Sequence, residues 1–208
     1  SGLVNEPRVS HLRLALHFSM ALAIFALLLW TVLDIRRSRH HPWAVIPPKH
    51  LFFYKIWFSL LCLQLIFGAF MAGLHAGLVY NTWPDMNGQF IPSDIGFMSP
   101  WYMNILSNIA TVQFIHRTLA VFLGASFAFW WYLCRLYAST IPMHRLCAAV
   151  VAILATQVTL GVLTLLHMVP LPMAWLHQLT GLILFAVGVM LLHRLCGAKY
   201  TERHSAPS

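Results

Sequence analysis

The sequence predicts an all-α fold, a polytopic membrane helix bundle with five transmembrane helices, and its composition, charge pattern and proline positions support that prediction. Of its 208 residues, 60% are hydrophobic and only 9% are charged, and the mean hydropathy is +0.74. A soluble globular domain devotes about a quarter of its residues to Asp, Glu, Lys and Arg. The chain has too few charges to cover a surface that faces water, which excludes a soluble enzyme and a disordered tail.

The charged residues are clustered rather than spread along the chain. The net charge of +8 suggests a nucleic-acid partner at first sight. Long stretches between the basic clusters hold almost no charge, however. We therefore expect no nucleic-acid partner and a chain that lies in membrane lipid.

Five stretches are long and apolar enough to cross a bilayer, because a helix needs roughly 20 residues to span the hydrocarbon core. Prolines such as Pro84, Pro100 and Pro170 fall between these stretches and not inside them. A backbone in lipid must satisfy its own hydrogen bonds, which favours helices. The predicted spans lie near 13–33, 54–75, 112–134, 146–167 and 173–193.

The basic residues predict the orientation of the spans. Three of them, Arg8, Arg13 and Arg117, lie on one side, and the other ten lie on the opposite side, which the positive-inside rule makes the inside. With five spans and an inside C-terminus, the chain should begin outside. Residues 1–10 resemble an extramembrane loop without an initiator Met. We therefore expect a single transmembrane domain over 1–208 that is a C-terminal fragment of a longer protein.

The sequence contains twelve histidines, and an ionisable residue inside a membrane span is rare and indicates a functional site. Six lie at the inside ends or loops, where water or lipid headgroups are expected to solvate them: His40, His41, His50, His144, His193 and His204. Six lie toward the outer half: His11, His17, His75, His116, His167 and His177. Of these, we expect His11, His75 and His167 to be solvated because they lie near span ends.

The remaining three, His17, His116 and His177, share a geometry. Each lies about one turn into a span that runs inward, so the three should lie at matched depth on parallel helices. Two imidazoles at one depth are able to bind a metal or the iron of a haem. Alternatively, each histidine only hydrogen-bonds a neighbouring helix. Zinc is less attractive because no Cys or carboxylate completes a tetrahedral set at this depth.

A haem would also need an apolar slot, and the sequence has no CxxCH motif for covalent attachment. Arg117 follows His116 directly and either neutralises a haem propionate or anchors its helix in the headgroups. The outer segment near 79–110 either covers the site or only connects two helix ends. Candidate slot residues are Phe114, Leu119, Phe122, Leu176, Leu179 and Phe185.

A weak internal repeat indicates how the helices are grouped. The four residues at 14–17, LALH, resemble AWLH at 174–177, and both helices run in the same direction. We therefore expect residues 51–196 to form a four-helix haem-binding repeat. Residues 1–35 would then be the last helix of a preceding repeat.

Longer stretches resemble one known family. They are GAFMAGLHAGLVYNTWPDMNGQFIP at 68–92, NIATVQFIHR at 108–117 and LGVLTLLHMVPLPMAWLHQLTG at 160–181. A fourth stretch, PRVSHLRLALHF at 7–18, resembles the fourth transmembrane helix of the same family. Together they are similar to the C-terminal half of haem A synthase of the mitochondrial and proteobacterial type, an eight-helix protein built from two four-helix repeats.

The resemblance implies an oxidoreductase acting on a CH group, which oxidises the C8 methyl of haem O to formyl and so gives haem A for cytochrome oxidase. It implies that His116 and His177 ligate the iron of a haem b cofactor and that His17 contacts the substrate haem. The family's first substrate-side histidine and its catalytic glutamate belong to the other half. No Asp or Glu lies within the predicted spans. We therefore expect no catalytic residue in this chain and no activity from the fragment alone.

The implied partners are haem O as substrate and membrane lipid, with haem O synthase, cytochrome oxidase assembly factors and a second copy of the chain as further candidates. The electron acceptor is not identified. The resemblance places the chain in a bacterial inner membrane or, alternatively, a mitochondrial one. Two other functions stay open: a membrane b-type cytochrome that takes electrons from quinol without modifying a haem, and a non-haem structural or assembly protein.

Overall fold

The computed structural model describes residues 10–36, 48–136 and 141–204. These residues form six α-helices and one short 3₁₀ helix, Ala76–Leu78, and contain no β-strand, which confirms the predicted all-α fold. The α-helices are α1 (His11–Ile35), α2 (Pro48–Gly73), α3 (Tyr102–Ser107), α4 (Ile109–Arg135), α5 (Ile141–Leu166) and α6 (Leu171–His204).

Five of these helices, all except α3, are long and apolar enough to cross a membrane. The five predicted spans are therefore confirmed, and the chain is a multi-pass membrane protein. Each helix begins a few residues before its predicted span. At α4 the reason is Asn108, whose side-chain oxygen accepts a hydrogen bond from the Thr111 N–H and caps the helix. Pro142 and Pro172 occupy first turns, where a missing N–H costs nothing.

Four helices form a closed bundle and α1 packs on its outside. Around the bundle α2 contacts α4, α4 contacts α5, α5 contacts α6, and α6 contacts α2. Helix α1 lies against α2 and α6 through Ala15 and Leu22, its two buried residues. We call the end of the bundle where α1, α4 and α6 begin the outer end, and the opposite end the inner end.

An aromatic cluster fills the inner half of the bundle between α2 and α4. Its members are Tyr54, Trp57, Phe127 and Trp130. The Tyr54 hydroxyl donates a 2.8 Å hydrogen bond to the Gly188 carbonyl on α6, and the Trp57 indole donates a 2.9 Å bond to the Leu123 carbonyl on α4. The cluster therefore joins three helices by buried hydrogen bonds as well as by packing.

Two histidines near the inner end are buried rather than solvated, which corrects the prediction for His50 and His193. The His50 carbonyl accepts a 3.0 Å bond from the Trp130 indole, and His50 is 2% exposed. His193 Nε2 lies 2.7 Å from an Asp34 carboxylate oxygen. Both were predicted to be solvated because position along the chain does not reveal which face of a helix a residue occupies. His40 and His41 lie outside the described residues, as does the side chain of His204.

Asp34 also corrects the expectation that no acidic residue lies within a span. Helix α1 extends to Ile35, so Asp34 occupies its last turn and pairs with His193 of α6. The Trp30 ring meets the His193 ring edge to face, with ring centroids 4.9 Å apart. These contacts fasten the inner end of α1 to the bundle.

The Tyr54 hydrogen bond provides a test of this packing. Tyr54→Phe removes a fully buried hydroxyl and should lower the free energy of unfolding by about 1 kcal/mol. In a chain of this size that corresponds to a decrease of about 2–4 °C in Tm. The measurement is thermal unfolding in detergent followed by circular dichroism. Tyr132→Phe is the control because the Tyr132 side chain is exposed, and an equal change in both variants would contradict the prediction.

Candidate functional site

The outer segment between α2 and α4 is folded and packed onto the bundle. It contains the helix α3 and an antiparallel bridge between Met86 and Gln89. The buried Gln113 side chain of α4 donates to the carbonyls of Ala76 (3.1 Å) and Tyr80 (3.2 Å). The helix α3 was not predicted, since a six-residue helix is too short to leave a periodic signal in the sequence. That the segment covers a site stays a prediction.

Arg117 holds this segment beside His116. Its guanidinium donates to the backbone carbonyls of Tyr80 (2.7 Å), Thr82 (2.9 Å) and Asp85 (2.8 Å). The Arg117 side chain, next to His116 in the sequence, thus binds the backbone of the outer segment. Contact with a haem propionate stays a prediction.

The pKa values of Asp85 and Tyr80, two residues of this segment, are shifted from their usual values. The Thr82 hydroxyl and the Gly88 N–H both donate to the Asp85 carboxylate, and together with nearby Arg117 they lower the pKa of Asp85. Asp85 therefore keeps its charge at neutral pH. Burial, and then the 2.7 Å hydrogen bond that Tyr80 donates to Asp94, raise the pKa of Tyr80, which stays neutral.

The three candidate histidines occupy similar positions within their helices. His17 and His177 are the seventh residues of α1 and α6, and His116 is the eighth residue of α4. His116 and His177 are each held by a glutamine of a neighbouring helix. His17 is exposed on α1.

His116 is held by a glutamine on the neighbouring helix. The Gln64 side-chain nitrogen on α2 donates to the His116 carbonyl (3.1 Å) and lies 3.4 Å from His116 Nε2. Gly68, one turn further along α2, lies beside the ring: a Cβ there would be 3.5 Å from His116 Cε1, an ordinary contact. The ring therefore rests against α2 with its orientation set by Gln64.

His177 is held in the same way by the other helix pair. The Gln157 side-chain nitrogen on α5 lies 3.3 Å from His177 Nε2, and the Gln157 carbonyl lies 3.1 Å from His177 Nδ1. Because a carbonyl only accepts, His177 Nδ1 must carry the hydrogen. Gly161 is more tightly placed than Gly68, since a Cβ there would be 2.8 Å from His177 Cε1. The ring thus occupies space that only glycine leaves open.

The two helix pairs therefore share one arrangement, in which a Gln-x-x-x-Gly pattern on one helix lies opposite a histidine on the other. Gln64 and Gly68 of α2 face His116, and Gln157 and Gly161 of α5 face His177. The sequence contained this signal, because glutamine is costly inside a membrane span and the same spacing occurs in two spans. We did not predict either glutamine from the sequence.

The donor set has the chemistry of a two-nitrogen metal site. Among the described residues, no group of three or more His, Cys, Asp or Glu side chains is placed to hold a metal ion. Two imidazoles suffice for the iron of a haem, whose macrocycle supplies the other ligands. Three buried atoms at the site have no hydrogen-bond partner in the described structure: His116 Nδ1, Gln64 Oε1 and Gln157 Oε1. The two imidazoles fit the iron of a haem, and the three unpaired polar atoms belong to the same residue pairs.

Of the three outer histidines that were expected to be solvated, two are exposed and one is partly buried. His75 and His167 are exposed, as predicted. His11 is partly buried, which corrects the expectation that it is solvated: its ring meets Phe70 edge to face and its Nε2 lies 3.2 Å from the Ser107 hydroxyl. Helix α1 begins at His11 and not after it, so the residue packs between helices.

The six candidate slot residues do not lie together. Phe185 is buried in a cluster with Leu22 of α1, and Phe114 packs beside Met86 under the outer segment. Leu119 packs against the large core cluster of the bundle. Phe122, Leu176 and Leu179 have exposed side chains. The six residues therefore form no single buried cluster, and a slot that they line together stays a prediction.

The fold and site together define a class: a multi-pass helical membrane protein that holds a pair of histidines between its helices near the outer end. Residues 1–189 match the sequence model of the COX15-CtaA family, described as cytochrome oxidase assembly protein. The chain belongs to this family.

Relatives in the family carry the name heme A synthase. The chain is 42% identical over 197 residues to the heme A synthase of Wolbachia pipientis subsp. Culex pipiens, covering 94% of this chain and 56% of the relative. It is 37% identical over 196 residues to that of Nitrosospira multiformis, covering 94% and 55%. The chain thus spans little more than half the length of these relatives. The predicted resemblance to the haem A synthase family is confirmed.

The two glycines give opposite predictions for the same substitution. Gly161→Ala places a Cβ against the His177 ring and should lower the free energy of unfolding by about 1–3 kcal/mol, the usual cost of overpacking. Gly68→Ala has room for its Cβ and should raise it by about 0.5–1 kcal/mol, because alanine is the better helix former. The measurements are unfolding in detergent and the imidazole NMR resonances of His177, which should shift only in Gly161→Ala. A stabilised Gly161→Ala protein would contradict the assigned packing.

Proposed function

We propose that this chain provides the haem b site of a haem-A-forming oxidoreductase, in which His116 and His177 would hold the haem iron. The observation that carries the proposal is the pair of imidazoles, each oriented by a glutamine of the neighbouring helix, in a family whose relatives include heme A synthases. The site's buried atoms without partners support a group bound between the helices.

The proposed reaction converts the C8 methyl of haem O to the formyl group of haem A. With water as the proposed source of the oxygen atom, electrons and protons must leave the substrate, and the electrons must pass to an external acceptor. A bound haem b would supply one-electron redox chemistry for this transfer. The chain's own residues position that group: His116 and His177 bind it, Gln64 and Gln157 orient the rings, and Arg117 fixes the outer segment beside it.

His17 is proposed to contact the substrate haem. Its side chain is exposed on α1, the helix outside the four-helix bundle, so it is available to a ligand on that surface. The proposed location is the bacterial inner membrane, which the bacterial relatives support. Haem O synthase and cytochrome oxidase assembly factors stay as proposed partners.

The ligand assignment predicts a spectroscopic result. The purified chain, reconstituted with haem b in detergent, should show the spectrum of a low-spin bis-histidine haem. His116→Ala or His177→Ala should abolish this spectrum completely, because one axial nitrogen is then missing. His167→Ala is the matched control, since His167 is exposed at the same end of the bundle. An unchanged low-spin spectrum in both site variants would reject the assignment.

The proposed activity can be tested in a chimera. The matching segment of the Wolbachia heme A synthase is replaced by this chain, and the chimera is expressed in cells that make haem O but no haem A. Chromatography of extracted haems should reveal haem A, and His116→Ala or His177→Ala in the chimera should reduce it to background. A folded chimera that shows the low-spin spectrum but yields no haem A would contradict the proposed activity and favour a b-type cytochrome that transfers electrons from quinol.

A further inference from the structure

The Gln64 amide determines which nitrogen of His116 carries the hydrogen. Gln64 Nε2 lies 3.1 Å from the His116 carbonyl, which only accepts, so the amide must turn its nitrogen toward His116. The same nitrogen lies 3.4 Å from His116 Nε2 and directs its second N–H there. His116 Nε2 is therefore the acceptor, and the neutral ring carries its hydrogen on Nδ1.

No other group among the described residues sets this tautomer. His116 Nδ1 is buried and has no hydrogen-bond partner. The ring would be free to move its hydrogen to Nε2 if the Gln64 amide were absent. His177 differs, because its Nδ1 donates to the Gln157 carbonyl, a main-chain group that a substitution of the Gln157 side chain does not remove.

We propose that Gln64 is a positioning residue that keeps the Nε2 lone pair of His116 available for iron before haem binds. The inference rests on the proposed function. The contact between Gln64 Nε2 and His116 Nε2 is long for a hydrogen bond and easily replaced by a metal bond. The bond to the His116 carbonyl stays in place, so the amide does not have to leave the site.

The test uses the whole chain without haem, labelled with ¹⁵N-histidine, at a pH where the imidazoles are neutral. Gln64→Leu and Gln64→Met should move hydrogen from His116 Nδ1 to Nε2, seen as a change in the two ring-nitrogen shifts, while His177 keeps its wild-type shifts. In a haem titration both variants should bind with a Kd about tenfold higher, the usual cost of losing a group that orients a ligand.

Gln157→Leu is the matched control. It removes the equivalent amide, but the main-chain carbonyl still holds the His177 tautomer, so the ring-nitrogen shifts of His177 should stay close to wild type. Circular dichroism of each variant establishes that it is folded. Leu and Met are both apolar and similar in size to Gln, so agreement between them excludes an effect of shape alone.

Unchanged His116 tautomer in both Gln64 variants would overturn the proposal, whatever the haem affinity, because weaker binding without that change indicates a purely structural role. A change of the His177 tautomer in Gln157→Leu equal to that of His116 in the Gln64 variants would overturn it too. These outcomes are distinct from failure of the proposed function, which would appear as a low-spin haem spectrum that survives His116→Ala and His177→Ala.

Discussion

A polar side chain inside a membrane bundle has no water to bind, and this constraint organises the site. Each buried donor or acceptor must find its partner within the protein or in a bound group, because an unpaired one costs free energy. His116 and His177 meet this requirement through glutamines on the antiparallel neighbour helix. Three of the buried atoms without a protein partner among the described residues belong to the site: His116 Nδ1, Gln64 Oε1 and Gln157 Oε1. The polar contacts of the site are therefore incomplete within the described structure.

The inner and outer halves of the bundle differ in their packing and hydrogen bonds. In the inner half, Tyr54, Trp57 and Trp130 each donate a hydrogen bond to a carbonyl on another helix, and their rings fill the space between helices. In the outer half, glycines replace large side chains beside the histidines. The buried hydrogen bonds of the inner half join three helices, and functional groups such as the two histidines need firm support from the elements that carry them.

The helices could be predicted from the sequence, but the faces they present could not. A run of about 20 apolar residues crosses a bilayer whatever its neighbours are, so the five spans followed from length and composition. Phe185 and Phe122 both lie in apolar membrane spans, yet one is buried against α1 and the other is exposed. That difference depends on helix rotation. A helix that is apolar all round has little periodic signal, so its sequence does not reveal which face is buried.

For the histidines, too, the sequence predicted the position along a helix but not the neighbouring residues. The matched depth of His116 and His177 was predictable because depth follows from distance along a helix. The burial of His50 and His193, and the role of Gln64, depend on which neighbouring helix lies opposite, and sequence position does not contain that information.

Arg117 connects the site to the outer segment, and its position explains why that segment is ordered. The guanidinium follows His116 on α4 and binds three carbonyls at 80–85. An arginine is charged at every physiological pH and needs several acceptors when partly buried. Backbone carbonyls meet this need only if the segment folds back over the start of α4. The charged Arg117 guanidinium beside His116 is therefore satisfied by the outer segment, and this one residue joins the segment to the site.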